Sequence, residues 1–128
     1  MAKVLLLEPD RLLANIYSQA LSRAGHTVNI ASTAQEAIDA ASNISPDIVI
    51  LEVQLVDHSG IEFLYEFRSY TDWKMVPTII LSNVPPIEFR QSIGLLKRQF
   101  GVQSYNYKPA TSLKKLLQIV EEANAISS

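Results

Sequence analysis

The sequence predicts an α/β fold in three layers, with a parallel five-stranded sheet in the order 2-1-3-4-5 held between helices. Three observations lead there. Short apolar runs alternate five times with segments of helical periodicity. Two of those runs, Ile48–Leu51 and residues 78–81, are uniformly apolar, as strands covered on both faces must be. The connections between successive runs have the length that a parallel crossover through a helix requires.

Residues Lys3–Leu7 form the aliphatic strand β1. Asp10 stands where it can cap helix α1, residues 11–24, whose apolar residues Leu12, Leu13, Ile16, Tyr17, Ala20, Leu21 and Ala24 recur at helical spacing until Gly25 stops it. Thr27–Ala31 alternates polar and apolar as the edge strand β2, and Thr33 with Glu36 makes a capping box for a helix α2 from residue 34, carrying Ala37, Ile38 and Ala41. Ile48–Leu51 is β3. The turn Asp57, His58, Ser59, Gly60 then leads into α3 at residues 61–70, with Ile61, Leu64 and Tyr65 on one face and Phe63 and Phe67 close by. Val76 precedes Pro77 and is biased to extended backbone, ahead of β4 at residues 78–81, which Ser82 ends. Pro85 and Pro86 open a loop, residues 87–100 read as one helix α4 closed by Gly101, and Val102–Tyr107 as β5. Thr111 or Ser112 caps α5, which starts at residue 113 and places Leu113, Leu116, Leu117 and Val120 at i, i+3, i+4 and i+7.

Composition fits one globular domain over residues 1–128, 48% hydrophobic and 19% charged, enough chain to bury roughly two-thirds of the surface its unfolded form exposes. No apolar run approaches the roughly 20 residues that span a bilayer, and MAKVLLL lacks a cleavage site, so the expectation is a cytoplasmic protein without membrane contact. The absence of cysteine excludes disulfides, thiolate metal sites and thiol catalysis. Residues 1–64 hold three Lys/Arg and eight Asp/Glu, and residues 65–128 eight and five. The basic charges of the second half are scattered among acidic ones, which favours a solvated surface over a nucleic-acid site.

In the order 2-1-3-4-5, Glu8, Glu52, Ser82 and Lys108 all stand at or just past the carboxyl ends of strands, where open α/β sheets place their chemistry. Asp10 follows Glu8 closely, and a Glu52–Lys108 ion pair can cross the crevice. No glycine or hydroxyl cluster follows β1 in LLLEPDRLL to cradle a phosphate, and no G-x-S-x-G elbow or paired histidine supports nucleophilic catalysis, so no enzyme activity is expected. His58 and His26 read as loop and turn residues.

The stretch PDIVILEVQLVDHSG resembles the third strand and following loop of the response-regulator receiver (CheY-like) family, whose pattern reads like PDLVLLDLMLPDMDG. KVLLLEPD, PTIILSN and SYNYKPA are similar to that family's KILIVDDD, PIIMLTA and DYLTKPF. The resemblance implies a flavodoxin-like (βα)5 fold and a place in two-component or phosphorelay signalling. It puts Glu52 at the phospho-acceptor position, Ser82 at the hydroxyl that contacts the phosphoryl group, Lys108 at the lysine and Tyr105 at the switch aromatic, and it implies a cis bond before Pro109. Two departures matter. Glu52 replaces the accepting aspartate, and Pro9 replaces a carboxylate that in the family binds Mg2+. Together they predict a pseudo-receiver that works without phosphorylation, with no cofactor, with Mg2+ held weakly, and acting through contacts with a histidine kinase, an output domain or a second copy by way of α4, β5 and α5. A receiver phosphorylated at an unusual acceptor and a small-ligand-binding flavodoxin-like module are the alternatives.

Overall fold

The structure is a computed structural model that describes residues 1–56 and 59–127, excluding the side chains of residues 126 and 127. The turn residues Asp57 and His58 lie outside the described residues. Five parallel strands pair in the order β2-β1-β3-β4-β5, the flavodoxin-like arrangement the sequence predicts. The elements are β1 Lys3–Leu7, α1 Arg11–Arg23, β2 Thr27–Ala31, α2 Ala34–Ile44, β3 Ile48–Leu51, α3 Gly60–Ser69, β4 Thr78–Ser82, α4 Ile93–Phe100, β5 Val102–Tyr107 and α5 Leu113–Ser127.

Because strand side chains alternate between faces, each interior strand feeds two cores. Leu5, Leu7, Val49, Leu51 and Ile80 point into the layer of α2, α3 and α4, where Phe63, Leu64, Phe67, Leu96 and Phe100 meet them. Val4, Leu6, Ile48, Ile50, Ile79 and Leu81 point the other way, against α1 and α5. Local signals set the boundaries. Asp10 caps α1 by accepting from the Leu13 N–H, Thr33 caps α2, Ser59 and Glu62 form a reciprocal capping box on α3, and Ser112 accepts from the Lys115 N–H to start α5.

Three helices differ from expectation. The buried stripe of α1 is Ala14, Tyr17 and Leu21, leaving Leu12 70% and Ile16 39% exposed. On α3, Phe63 and Leu64 face inward with Phe67, while Tyr65 is exposed and lays its edge on the Phe100 ring. Residues 87–100 are not one helix. Pro86–Phe89 is a 3-10 turn, its i to i+3 bonds continue through Arg90 N–H to the Ile87 carbonyl and Ser92 N–H to the Phe89 carbonyl, and α4 starts only at Ile93. Tight winding brings Phe89 onto the Tyr105 ring, with centroids 5.5 Å apart.

The expected cis bond before Pro109 is also corrected. The described residues contain no cis peptide. Lys108–Ala110 forms a 3-10 turn in which the Lys108 carbonyl accepts from the Thr111 N–H at 3.1 Å while the Thr111 hydroxyl donates to the Tyr107 carbonyl at 2.8 Å. That turn leads the chain from β5 to α5 through a trans bond.

Candidate functional site

The sheet ladder carries the site residues past the strand ends in register. Leu7 pairs with Leu51, and the next residues continue that ladder: the Glu8 N–H donates to the Ala31 carbonyl and the Glu52 N–H to the Leu7 carbonyl, each at 3.0 Å. Both carboxylates are therefore fixed at the backbone before their side chains choose partners. Gly60 allows this packing, because a Cβ there would stand 2.7 Å from the Glu52 carbonyl oxygen.

Glu52 is 3% exposed and its carboxylate accepts from four donors. Oε1 takes the Lys108 ammonium at 2.7 Å and the Asn83 N–H at 3.2 Å; Oε2 takes the Ser82 hydroxyl and the Gln54 N–H at 3.1 Å. Glu8, also 3% exposed, is held by the same lysine at 2.5 Å and by the Asp10 N–H at 3.0 Å. The Ser82 oxygen accepts in turn from the Val84 N–H, and the Val84 carbonyl accepts the Tyr105 hydroxyl at 2.6 Å. One continuous chain of hydrogen bonds thus runs from Glu8 through Lys108, Glu52 and Ser82 to Tyr105.

Two buried carboxylates share one ammonium, and this sets the electrostatics. Burial raises the Glu8 carboxyl above the ordinary carboxylate range, and Lys108 does not fully offset it. Burial would raise Glu52 as well, but hydrogen bonds from Lys108, Ser82 and the Gln54 N–H outweigh it and hold this carboxyl below its ordinary value. Burial pushes Lys108 down and the bonds to Glu52 and Glu8 push it up further, leaving it above an ordinary lysine. Burial also raises the Tyr105 phenol.

The structure brings together Glu8, Glu52, Ser82, Tyr105 and Lys108. Asp10, expected beside Glu8, turns its carboxylate to the α1 N-terminus and contributes only its backbone N–H. Pro109 lies in the 3-10 turn Lys108–Ala110, directly after Lys108. The expected Glu52–Lys108 pair is present; the second contact of Lys108, to Glu8, and the backbone donors of Gln54 and Asn83 are additions that residue types alone do not announce. The donor set does not suit Mg2+. That ion wants near-octahedral oxygen ligands, whereas the two carboxylates present already hold an ammonium between them, and among the described residues no group of three or more His, Cys, Asp or Glu could hold a metal.

Two polar residues outside the crevice were also missed. His26 is buried, its Nδ1 accepting from the Ala2 N–H at 3.1 Å and its Nε2 lying 2.9 Å from the exposed Glu121 carboxylate. Arg68 is held at the opposite end of the sheet by three oxygens. No helix among the described residues is long and apolar enough to cross a membrane.

Comparison with known proteins agrees with this architecture. The chain is similar to the KDP operon transcriptional regulatory protein KdpE of Escherichia coli (strain K12), 35% identical over 109 residues, which are 85% of this chain and 45% of that protein. It is 28% identical over 107 residues to the alkaline phosphatase synthesis transcriptional regulatory protein PhoP of Bacillus subtilis (strain 168), covering 84% of this chain and 42% of the relative. It thus spans less than half the length of these curated relatives. Among solved structures, the chemotaxis protein CheY4 of Vibrio cholerae superimposes with a TM-score of 0.85 at 25% identity over 96% of this chain and 98% of that one. The receiver domain of the Francisella response regulator 1452 does so with a TM-score of 0.85 at 23% identity over the whole of both chains. A family model for the response regulator receiver domain matches residues 4–121, and the chain belongs to that family.

Proposed function

We propose that this receiver domain signals without phosphorylation, with Glu52 at the phospho-acceptor position acting as a permanent charge, and that it works through protein contacts on α4, β5 and α5. One observation carries the reading: the Glu52 carboxylate takes up Lys108, the Ser82 hydroxyl and the Asn83 N–H at once, and so occupies the donors that a phosphoryl group at this edge would need. A buried carboxylate supplies about one negative charge, against roughly 1.5 to 2 charges and three acceptor oxygens for a phosphoryl group. The substitute is therefore weaker but constant. It biases the β4–α4 loop through Ser82 and Val84, and Val84 in turn holds Tyr105 inward.

The same contacts argue against phosphoryl transfer to Glu52. Its nucleophilic oxygens are engaged by one ammonium and three neutral donors, the added methylene fills space an incoming group would need, and Pro9 offers no carboxylate for Mg2+. The partner is a signalling protein, a histidine kinase or an output domain, or a second copy through the same face. Residues 1–128 are read as one domain, with no nucleic acid or membrane contact of their own and with residence in the cytoplasm. The test is intact-protein mass after incubation with acetyl phosphate and Mg2+. No mass gain is expected for the wild-type chain, and a stoichiometric phosphoryl adduct at Glu52 would overturn the reading.

A further inference from the structure

Arg68 is a half-buried cation that the site does not use. It leaves α3 near its C-terminus and donates from Nε to the Phe100 carbonyl at 2.8 Å, from Nη1 to the Trp73 carbonyl at 2.7 Å and from Nη2 to the Thr78 hydroxyl at 2.9 Å. Among the described residues no carboxylate pairs with it, and burial pulls the guanidinium down to about 10. Its charge is balanced by carbonyl dipoles instead, including that of Phe100 at the C-terminus of α4, where a helix favours a cation. The neighbouring Gly101 ends α4 with φ +65°, and a Cβ there would stand 2.7 Å from Arg68 Nη2. The Thr78 N–H completes the knot by donating to the Gly101 carbonyl at 3.1 Å.

The two ends of α4 are therefore held very differently. Its C-terminal end is fastened through one guanidinium to α3, the Trp73 carbonyl and the start of β4, and Gly101 is held to β4 by the Thr78 N–H. Its N-terminal end follows the 3-10 turn Pro86–Phe89 and the turns up to Ser92, and α4 has no side-chain cap there. That end reaches the core through Phe89, which rests on Tyr105. α3 is fixed at both ends, by Gly60 packed on the Glu52 backbone and by Arg68.

We propose that Arg68 is a positioning residue that makes α4 a one-ended lever: the helix pivots at Gly101 and only its N-terminal approach, residues 85–95, changes place when the Tyr105 region changes. The inference holds whether or not Glu52 is the group that biases the free end. Small hinges at element termini are the usual means of such motion.

Native-state hydrogen exchange on the full chain tests it, since local opening is read amide by amide. R68M should raise exchange about tenfold or more at Thr78, Phe100 and Gly101 while leaving β3 amides such as Ile50 protected, and R68K, which keeps one donor of the fork, should fall between it and wild type. F89A, with Arg68 intact, should loosen Glu88, Arg90 and Ser92 and leave Thr78 and Gly101 as protected as in wild type. In the double variant the loosening should run through the whole of residues 85–101. Three outcomes would overturn the pivot: F89A alone loosening Gly101 as much as the double variant does, R68M and R68K both leaving Thr78 and Gly101 protected, or both arginine variants raising β3 amides equally, which would make Arg68 a general stabiliser only.

Discussion

Replacing Lys108 by methionine is the sharpest test of how the crevice is held together. The substitution keeps volume and removes the single ammonium that lies 2.5 Å from Glu8 and 2.7 Å from Glu52, each carboxylate 3% exposed and the lysine side chain 6% exposed. Removing one member of a buried ion pair costs about 3–5 kcal/mol, because the remaining charge keeps its burial and loses its partner. Here two carboxylates lose theirs, which places K108M at the upper end of that range at pH 7. A domain of this size has about 5–15 kcal/mol to lose, so the variant folds with a melting temperature lower by roughly 10–25 °C. Urea unfolding followed by Trp73, the one tryptophan in the chain, measures the loss. The penalty should shrink as pH falls from 7 toward 5 and the carboxylates take up protons, and it should be largely absent when E8Q and E52Q are already in place, a coupling that a double-mutant cycle reads directly. A loss below about 1 kcal/mol, or the same loss with both carboxylates neutralised, would refute the idea that one lysine compensates two buried charges.

The pH dependence of the carboxylates has opposite signs. Glu52 is held below its ordinary value of 4.5, so its contribution is complete above that value and is lost as pH falls through the folded-state value; E52Q should lack this acid-side loss in denaturant midpoints. Glu8 is raised, so the folded chain takes up its proton first and stability gains as pH falls toward 4.5; E8Q should abolish that gain. Tyr105→Phe removes the bond to the Val84 carbonyl but keeps the ring on Phe89, and should cost about 0.5–1.5 kcal/mol in the same unfolding assay. His26→Ala leaves the buried Ala2 N–H without its acceptor and should cost at least about 1–3 kcal/mol, whereas E121Q, changing only the exposed partner, should stay within about 1 kcal/mol by thermal melting.

Strands were legible in the sequence because their signal is local. An unbroken β-branched and aliphatic run such as Ile48–Leu51 suits the interior of a parallel sheet, and once the strand order follows, Glu8, Glu52, Ser82 and Lys108 share one edge. Helix faces were less legible where apolar residues are in excess. In α1, Leu12, Leu13, Ile16, Tyr17, Ala20 and Leu21 cover too wide an arc to bury together, and the side that goes in is the one carrying Ala14, Tyr17 and Leu21. The 87–100 stretch misled because composition does not separate a 3-10 turn from the start of an α-helix. The packing of Phe89 on Tyr105, 16 residues further on, belongs to tertiary structure. Buried polar contacts were least legible. His26 meets Glu121 from 95 residues away and Arg68 meets backbone carbonyls, and a carbonyl carries no residue-type signal.

The two polar centres, at opposite ends of the sheet, divide the labour of holding β4. At its carboxyl end the strand is tied through Ser82 and the Asn83 N–H to Glu52, and at its beginning through Thr78 to Arg68. Burial of a lone carboxylate or a lone guanidinium at either place would be costly without such partners. Each centre therefore draws its partners from several elements and resists sliding of β4 past β3 and β5. The segment between them that escapes both centres is the stretch from Pro85 to Ser92, wound in i to i+3 turns and resting on Tyr105. On the proposed reading a single carboxylate at position 52 biases that stretch without moving the sheet, through the bonds that draw Ser82 and Val84 toward the crevice and hold Tyr105 on Val84. Neutralising Glu52 while leaving Lys108 in place shifts that balance by one buried, four-donor carboxylate, and on this reading the surface formed by α4 and β5 changes while the core beneath it does not.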